Sequence, residues 1–408
     1  MSRRRLVLLG LVAALAWLLV VATPATVTPA AASAQARSAP GQPEATATWR
    51  QVDAGTAHTC AVRADGRLFC WGRGDHGELG NGAEDDHAHP VEVTGGRTDW
   101  AVVSAGMFHT CARRRTGQLY CWGMDDWGQL GDGGTNTSQS QPVEVAGGRT
   151  DWAGVAAGGG TTCAVRRGGR LFCWGDDSTA QLGDGGTNTS QSSPVEVIGG
   201  RTDWASVTVG DGHTCARRTT SRLFCWGRDD HGQAGDGGGV DPSKGTPVQV
   251  AGNRTDWSKV TAGSAHTCAR RADGRLFCWG FGIYGQRGDG THLANRGAPF
   301  EVLGGRTDWA SVSAGGQHTC ARRTTGRLFC AGYDGSGQLG IGGGQTDRAT
   351  PTQVAGSRTD WSVVSAGGAH TCALRSSGRL FCWGANAYGQ VGDGGAAFSQ
   401  PTPVEVML

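Results

Sequence analysis

The chain has 408 residues, 71 glycines, 14 cysteines and a formal net charge of +2. Length alone suggests two or three domains, and the near-neutral balance names no charged partner by itself. No stretch shows the 3.6-residue period of an amphipathic helix, which excludes a helical architecture.

Residues 1–36 are expected to be a targeting segment. Arg3-Arg4-Arg5 is basic, Leu6 to Ala22 is an apolar run, and Ala32-Ser33-Ala34 or Ala34-Gln35-Ala36 offers a small-residue cleavage site. The run is long for a signal-peptide core and short for a spanning helix, so a retained anchor is the alternative to cleavage. Ser2-Arg3-Arg4 hints at the twin-arginine route. Residues 37–48, rich in Pro, Ala and Thr, are expected to be a short disordered lead. The segment implies an exported protein, and the Arg-rich, Lys-poor composition suits a bacterium. The sequons at Asn136, Asn188 and Asn253 matter only in a eukaryotic secretory route.

From residue 49 the chain repeats. Trp49, Trp100, Trp152, Trp204, Trp257, Trp309 and Trp361 each open a unit of 51 to 53 residues, and a fixed period decides architecture before anything else does. Each unit reads as four short strands, of the types Trp49–Val52, His58–Arg63, Arg67–Trp71 and Pro90–Val93, with Gly and Pro in the gaps. Leu68-Phe69-Cys70-Trp71 is apolar on both parities, as a strand covered on both faces must be. The expected fold is all-β: a seven-bladed β-propeller of four-stranded antiparallel blades. The link from third to fourth strand is long and the others are short. That favours a blade made of the short-linked strands, with the ring closed by the N- and C-terminal strands, Pro403–Val406 pairing beside Trp49–Arg63. Blades that coincide with the sequence units are the alternative.

The phrases W-x-x-V-x-A-G-x-x-H-T-C-A and G-Q-L-G-D-G resemble those of the regulator of chromosome condensation repeat family, over residues 49–406. The resemblance implies the same propeller. It also implies two functions: guanine nucleotide exchange, as in the family's name-giving member, or inhibition of other proteins, as in some exported bacterial propellers. The chain departs from the pattern at Thr161, in place of His, at Ala331, in place of Trp, and at Ser221, in place of the turn Gly.

The cysteines fall into seven pairs of constant spacing: Cys60 and Cys70, Cys111 and Cys121, Cys163 and Cys173, Cys215 and Cys225, Cys268 and Cys278, Cys320 and Cys330, and Cys372 and Cys382. If Cys60 faces Cys70, then Arg63 faces Arg67 and Ala64-Asp65-Gly66 is a three-residue turn, whose last residue is commonly a left-handed Gly. Directly opposed residues are close enough for a disulfide. Each bond contributes about 3 kcal/mol or less on the chain-entropy model, and such bonds persist in oxidising compartments. Zinc is not expected, since there is no C-x2-C spacing.

Antiparallel order sorts charge by rim. The hairpin ends and the G-x-R-T-D-W turns emerge on one rim, here the bottom, and bring 25 arginines against eight acids. Arg63, Arg114, Arg166, Arg218, Arg271, Arg323 and Arg375 represent this basic rim. Many of them are expected to be structural, paired with the T-D-W aspartates or stacked on Phe69-type rings; a surplus could meet an anionic surface polymer, nucleic acid or acidic protein. Aromatics for stacking bases are scarce there, which argues against nucleic acid. The top rim collects 21 acids, Asp53 among them, against six bases.

Recognition is expected where units differ, in the top-rim phrase W-G-x-x-x-x-G-Q. Trp127, Phe281, Tyr284, Tyr333 and Tyr388, beside Asp126, Asp177 and Asp230, are the candidate binding residues for a protein, peptide or glycan. His76, His231, His87 and His89 with Asp85 and Asp86 lack fixed ligand spacing, so no metal is expected, and no cofactor either. The H-T-C histidines are expected to pin strand ends by hydrogen bonds. There is no H-E-x-x-H, phosphate loop or G-x-S-x-G. The expected function is a secreted, monomeric, non-enzymatic binding scaffold, free of the membrane unless the leader is retained. A hydrolase with its site on the propeller axis is a further alternative to the exchange factor.

Overall fold

The computed structural model describes residues 48–408 apart from 187, 240 and 396. The expected targeting segment, and the lead up to residue 47, lie outside the described residues. Among the described residues there are twenty-eight strands, β1 to β28, and no helix. They form seven four-stranded antiparallel sheets, one per sequence unit. In the first, β1 (Trp49–Ala54), β2 (His58–Arg63), β3 (Leu68–Gly72) and β4 (His87–Glu92) lie side by side in chain order. The first strands of all seven sheets line an axial channel of about 440 Å³. This is a seven-bladed propeller, with the first strand of each blade innermost.

The burial of each strand follows from its place. Every residue of β3 is buried, because neighbouring blades cover both of its faces. β4 is half-exposed throughout and carries Pro90, which has no N–H to donate and is tolerated at a sheet edge. Trp49 meets Phe69 edge-on at 5.7 Å and Trp71 at 6.0 Å. Facing them are Leu374, Leu380 and the Cys372–Cys382 pair of the last blade. One blade's disulfide thus packs on the next blade's tryptophans, and the Cys60–Cys70 pair meets Trp100 and Trp122 in the same way. Full burial of one such side chain is worth about 1.5–3 kcal/mol.

The hairpin register is the one the cysteines require. Cys60 opposes Cys70, Ala61 opposes Phe69 and Val62 opposes Leu68. In the same register Cys111 opposes Cys121, Cys163 opposes Cys173, and Cys215 opposes Cys225. Cys268 opposes Cys278, Cys320 opposes Cys330, and Cys372 opposes Cys382. A disulfide joins each of these seven pairs, with Cα atoms 4.1 Å apart, and no free cysteine remains among the described residues. All fourteen cysteines are buried between blades, so Cys121, Cys173, Cys225 and Cys278, like the rest, serve the core and present no reactive thiol to a partner. Gly66 turns the corner at φ +88°, with its Cβ position 2.0 Å from the Thr98 carbonyl of the link into the next blade. Ser221 holds the same left-handed position at φ +58°.

Ring closure differs from the expectation. The final strand β28 (Ser399–Glu405) pairs with β27 (Leu380–Ala385) in its own unit, opposing Val404 to Cys382, and shares no sheet with β1. The short link between units misled because its reach exceeds a blade's width. Seven residues separate Glu92 from Trp100 and can span about 23–25 Å, while three inter-strand steps need only about 14 Å. The chain therefore crosses from the outer edge of one blade to the inner edge of the next. The last-to-first junction repeats the internal ones: Trp100 N donates to Gly66 O at 3.1 Å, and Trp49 N to Gly378 O at 2.9 Å.

Candidate functional site

Two rings of polar side chains fix each blade to the next, which leaves the loops above them free to vary. In the outer ring, His58 Nε2 meets Thr110 Oγ1 of the following blade at 2.9 Å. His109–Thr162, His213–Thr267, His266–Thr319, His318–Thr371 and His370–Thr59 repeat the contact. The histidines therefore pin the neighbouring blade rather than their own strand. Burial drives their pKa values down to about 3 or about 4, so the rings are neutral. In the inner ring, Ala105 N donates to Asp53 Oδ2, Ala157 N to Ser104 Oγ and Ala54 N to Ser365 Oγ. Blade three breaks both rings, with Thr161 in place of the histidine and Ala156 in place of the hydroxyl.

The channel inside these rings has little chemistry to offer. Asp53, expected on the top rim, sits on the channel wall, where burial raises its pKa. Ser365 Oγ and Ala105 N occupy its two oxygens, so it joins blades rather than facing a substrate. Lys259 projects into the channel, and burial lowers its pKa despite the opposing pull of Asp53.

Above the rings, the variable phrase forms a collar round the channel mouth. In every unit but the sixth, the last variable residue reaches over to the next blade. His76 meets Phe108 edge-on at 5.1 Å, beside Arg73, whose guanidinium lies over Phe108 and Tyr388. Trp127 covers Gly160, where a Cβ would meet the ring at 2.8 Å. Thr179 Oγ1 donates to Gly212 O. His231 lies 4.7 Å from Phe281, Phe281 6.2 Å from Tyr284, and Tyr284 5.2 Å from Tyr333. Trp127, Ile283 and Tyr388 are exposed at 37%, 41% and 40%.

With this geometry in view, similarity searches converge on one family. Residues 22–302 and 149–407 match the RCC1-like domain. The chain belongs to the RCC1-like domain family. It is 31% identical over 349 residues to the ultraviolet-B receptor UVR8 of Arabidopsis thaliana, covering 84% of this chain and 78% of that protein. It is 28% identical over 375 residues to the mitochondrial RCC1 domain-containing protein RUG3 of the same plant, covering 83% and 82%. In fold it is similar to yeast RCC1 (Prp20) bound to Kap60, with a TM-score of 0.74 at 21% identity and 83% of each chain covered.

In this RCC1-like ring the expected binding residues fall into two groups. Phe281, Tyr284 and Tyr333 touch in one arc, while Tyr388 and Trp127 lie at other points of the collar. Asp126 is exposed, and Asp230 pairs with Arg228 at its edge. Asp177 is not a surface group. It is 1% exposed and its Oδ1 accepts Leu182 N at 2.9 Å beneath the loop.

The seven arginines chosen for the bottom rim are largely spent on the fold. Arg114, Arg166, Arg218, Arg271, Arg323 and Arg375 bond the aspartate of their own T-D-W turn at 2.6 to 2.9 Å. Arg63, which follows no such turn, lies 3.5 Å from Asp65. Sequence reasoning missed five further acids. Glu92, Glu196 and Glu405 bond Arg67, Arg170 and Arg379, Glu301 lies 3.9 Å from Arg275, and Glu144 takes a bond from Gln118. Because Phe69 opposes Glu92, the fourth strand's glutamate lies at the bottom. Twenty-five arginines then meet thirteen acids rather than eight.

Proposed function

We propose that the chain is an exported, non-enzymatic scaffold that binds a protein or peptide on the collar around the upper channel mouth. The observation that carries this is the bridging of one blade to the next by the variable residues of every unit but the sixth, with Trp127, Ile283 and Tyr388 left exposed. Interface cores favour such aromatics. The bottom rim offers less, because most of its chosen arginines already have acidic partners. Yeast Prp20, whose fold this chain shares, is reported with Kap60 and with binding to Gsp1p and histones, so a propeller of this shape can serve as a docking body. Export rests on the N-terminal residues and on seven disulfides, which are stable in an oxidising compartment.

The test is a pull-down with the mature chain from culture medium, at low salt and at about 0.5 M salt, where exposed charge pairs are screened. A partner held at high salt, and lost when Phe281, Tyr284, Tyr333 and Tyr388 are all changed to Ala, supports the collar. A salt-resistant partner that the quadruple variant still holds defeats it. Recovery of the chain in the cytosol with reduced thiols defeats the export reading.

A further inference from the structure

The seven long loops between third and fourth strands carry variants of one electrostatic motif, and two copies keep a pair of acids with neither a cation nor the register residue's side chain turned to them. In blade four, Asp229 and Asp236 both face Lys244, whose Nζ lies 3.7 Å and 3.0 Å from them. Lys244 stands opposite Gly227 in the sheet register. The residue at that register position varies among the blades: His87, Gln139, Gln191, Lys244, Arg296, Arg348 and Gln400. In blade five it is Arg296, which bonds Asp289 at 2.9 Å. In blade six it is Arg348, whose charge favours the ionised form of Asp334. In blade seven it is Gln400, which donates to Asp393 at 2.8 Å while Asn386 donates to its other oxygen. Blade one has Gly74 and Asn81 in place of the acids, and His87 meets Asn81.

Blades two and three keep both acids and supply no cation. In blade two the pair is Asp125 and Asp132, and the register residue is Gln139, whose amide donates to Thr137 O instead. Asp125 is fully buried. Its Oδ1 accepts Leu130 N, but its Oδ2, the counterpart of the Asp229 oxygen facing Lys244, has no hydrogen-bond partner. In blade three Asp177, Asp184 and Gln191 hold the same positions, with Leu182 N and Gly186 N donating to the two acids and Gln191 turned to Thr189 O; the unpartnered oxygen is seen at Asp125. A fully buried carboxylate oxygen without a partner is costly, and the sister blade shows what belongs against it: a positive charge.

We infer that the loops of blades two and three each bind a divalent cation, calcium by its chemistry, between Asp125 and Asp132 and between Asp177 and Asp184. The donors are hard oxygens on glycine-rich loops, with no thiolate or imidazole, which suits calcium better than zinc or copper. Main-chain carbonyls and water would complete a shell of about six to eight oxygens. Two carboxylates per site fit the weak range of extracellular modules, about 10⁻⁴–10⁻³ M. The ion would brace the loops on either side of Trp127. Its binding is independent of what the collar recognises.

The experiment is a calcium chloride titration of the full chain, followed by calorimetry and by thermal unfolding. Two equivalents should bind, and Tm should rise by about 3 to 6 °C at about 10 mM calcium. The variant Gln139→Lys/Gln191→Lys copies blade four, so it should fold, bind none and lose the calcium response. Lys244→Gln should gain a third equivalent. No binding to the natural chain up to about 10 mM would overturn the inference, and would mean that one acid of each pair keeps its proton. Two equivalents still bound by the double-lysine variant would overturn it as well.

Discussion

His370 Nε2 lies 2.8 Å from Thr59 Oγ1, across the junction where the last blade meets the first. The threonine gives its one proton to the carbonyl of Gln390 at 2.8 Å, so the imidazole is the donor to the hydroxyl. One buried hydroxyl thus joins three segments and closes a ring whose ends share no sheet. Thr59→Val keeps the shape but leaves the buried His370 N–H unpaired, while Trp71 Nε1 still donates to the Gln390 carbonyl, and should cost about 1–3 kcal/mol. Thr214→Val is the matched control. Thr214 donates to Gln181 O but faces Thr161 rather than a histidine, so its loss should cost less. Urea denaturation of the two variants checks this; equal losses would show that the imidazole contributes nothing.

The junction between blades three and four carries a compensated swap. Elsewhere a small alanine precedes the glycine that packs on the histidine ring, as Ala105 precedes Gly106. Here Val209 stands at the alanine position, and a Cβ on Gly158 would meet its Cγ1 at 2.4 Å, where the other blades place an imidazole. Thr161→His alone should be destabilising by about 1–3 kcal/mol through overpacking. Thr161→His/Val209→Ala should recover that loss and add a hydrogen bond to Thr214. A double-mutant cycle measures the coupling, and additive effects would refute it.

Much of this was legible in the chain. The disulfide register followed from closing a three-residue turn, and the blade count from seven tryptophans. Blade membership was not, because a seven-residue link between Glu92 and Trp100 is as compatible with crossing a blade as with turning beside it. The bottom-rim glutamates were overlooked because they stand about 25 residues along the chain from the arginines they meet, as Glu92 does from Arg67. Only the antiparallel pairing of third and fourth strands brings the two together. Asp177 looked like a surface acid beside Asp176. The strand–loop geometry buries one of two adjacent aspartates, and periodicity has no purchase on a loop.

Ser221 holds a left-handed backbone where six units use glycine. Ser221→Gly should raise stability by about 0.5–1 kcal/mol, since the relief of φ strain outweighs the added freedom of the unfolded chain. The converse, Gly66→Ala, should be severe, because its Cβ would sit 2.0 Å from the Thr98 carbonyl. Thermal unfolding of both variants tests this. A drop in Tm for Ser221→Gly would show that the serine side chain holds the turn.

Acid should weaken the ring. The six girdle histidines fall to about 3 or about 4 from 6.5, mainly through burial. With folded values depressed, the stability they contribute is complete above pH 6.5 and is lost as pH falls below it. Seven acids raised by burial oppose this, Asp53, Asp211 and Asp334 among them. Glu78, raised to about 7, and Asp125, Asp177 and Asp229, raised to about 6, favour the fold as pH falls. Every imidazole loses its contribution from pH 6.5 downward, whereas each carboxyl gains only once pH drops below its own raised value, so in calcium-free buffer Tm should fall from pH 7 to pH 5. The Thr161→His/Val209→Ala variant adds a seventh imidazole and should steepen the fall. A flat profile would mean that the histidines reach protons in the folded state.

Blade six lacks the tryptophan that plugs each of the other interblade seams. Trp71 Nε1 donates to Gln390 O and Trp122 Nε1 to Glu78 O, each ring pressed against a glycine, Gly392 or Gly80. At Ala331 the matching glycine, Gly288, has only Val302 and Pro351 near its Cβ position, at 3.4 Å and 3.5 Å. A cavity opens there, lined also by Leu276, Gln286, Trp309 and Phe329. Arg287 fills the leucine position beside it, fully buried, with its guanidinium turned to Gly280 O and Asp289. The cavity is only about 10 Å³, so Ala331→Trp alone should overpack the seam and destabilise by about 1–3 kcal/mol. Ala331→Trp/Arg287→Leu separates packing from charge. If the single change destabilises and the pair stabilises, the arginine stem occupies the room the indole needs; if both destabilise, the seam has already closed around alanine and the cavity is too shallow for a ring.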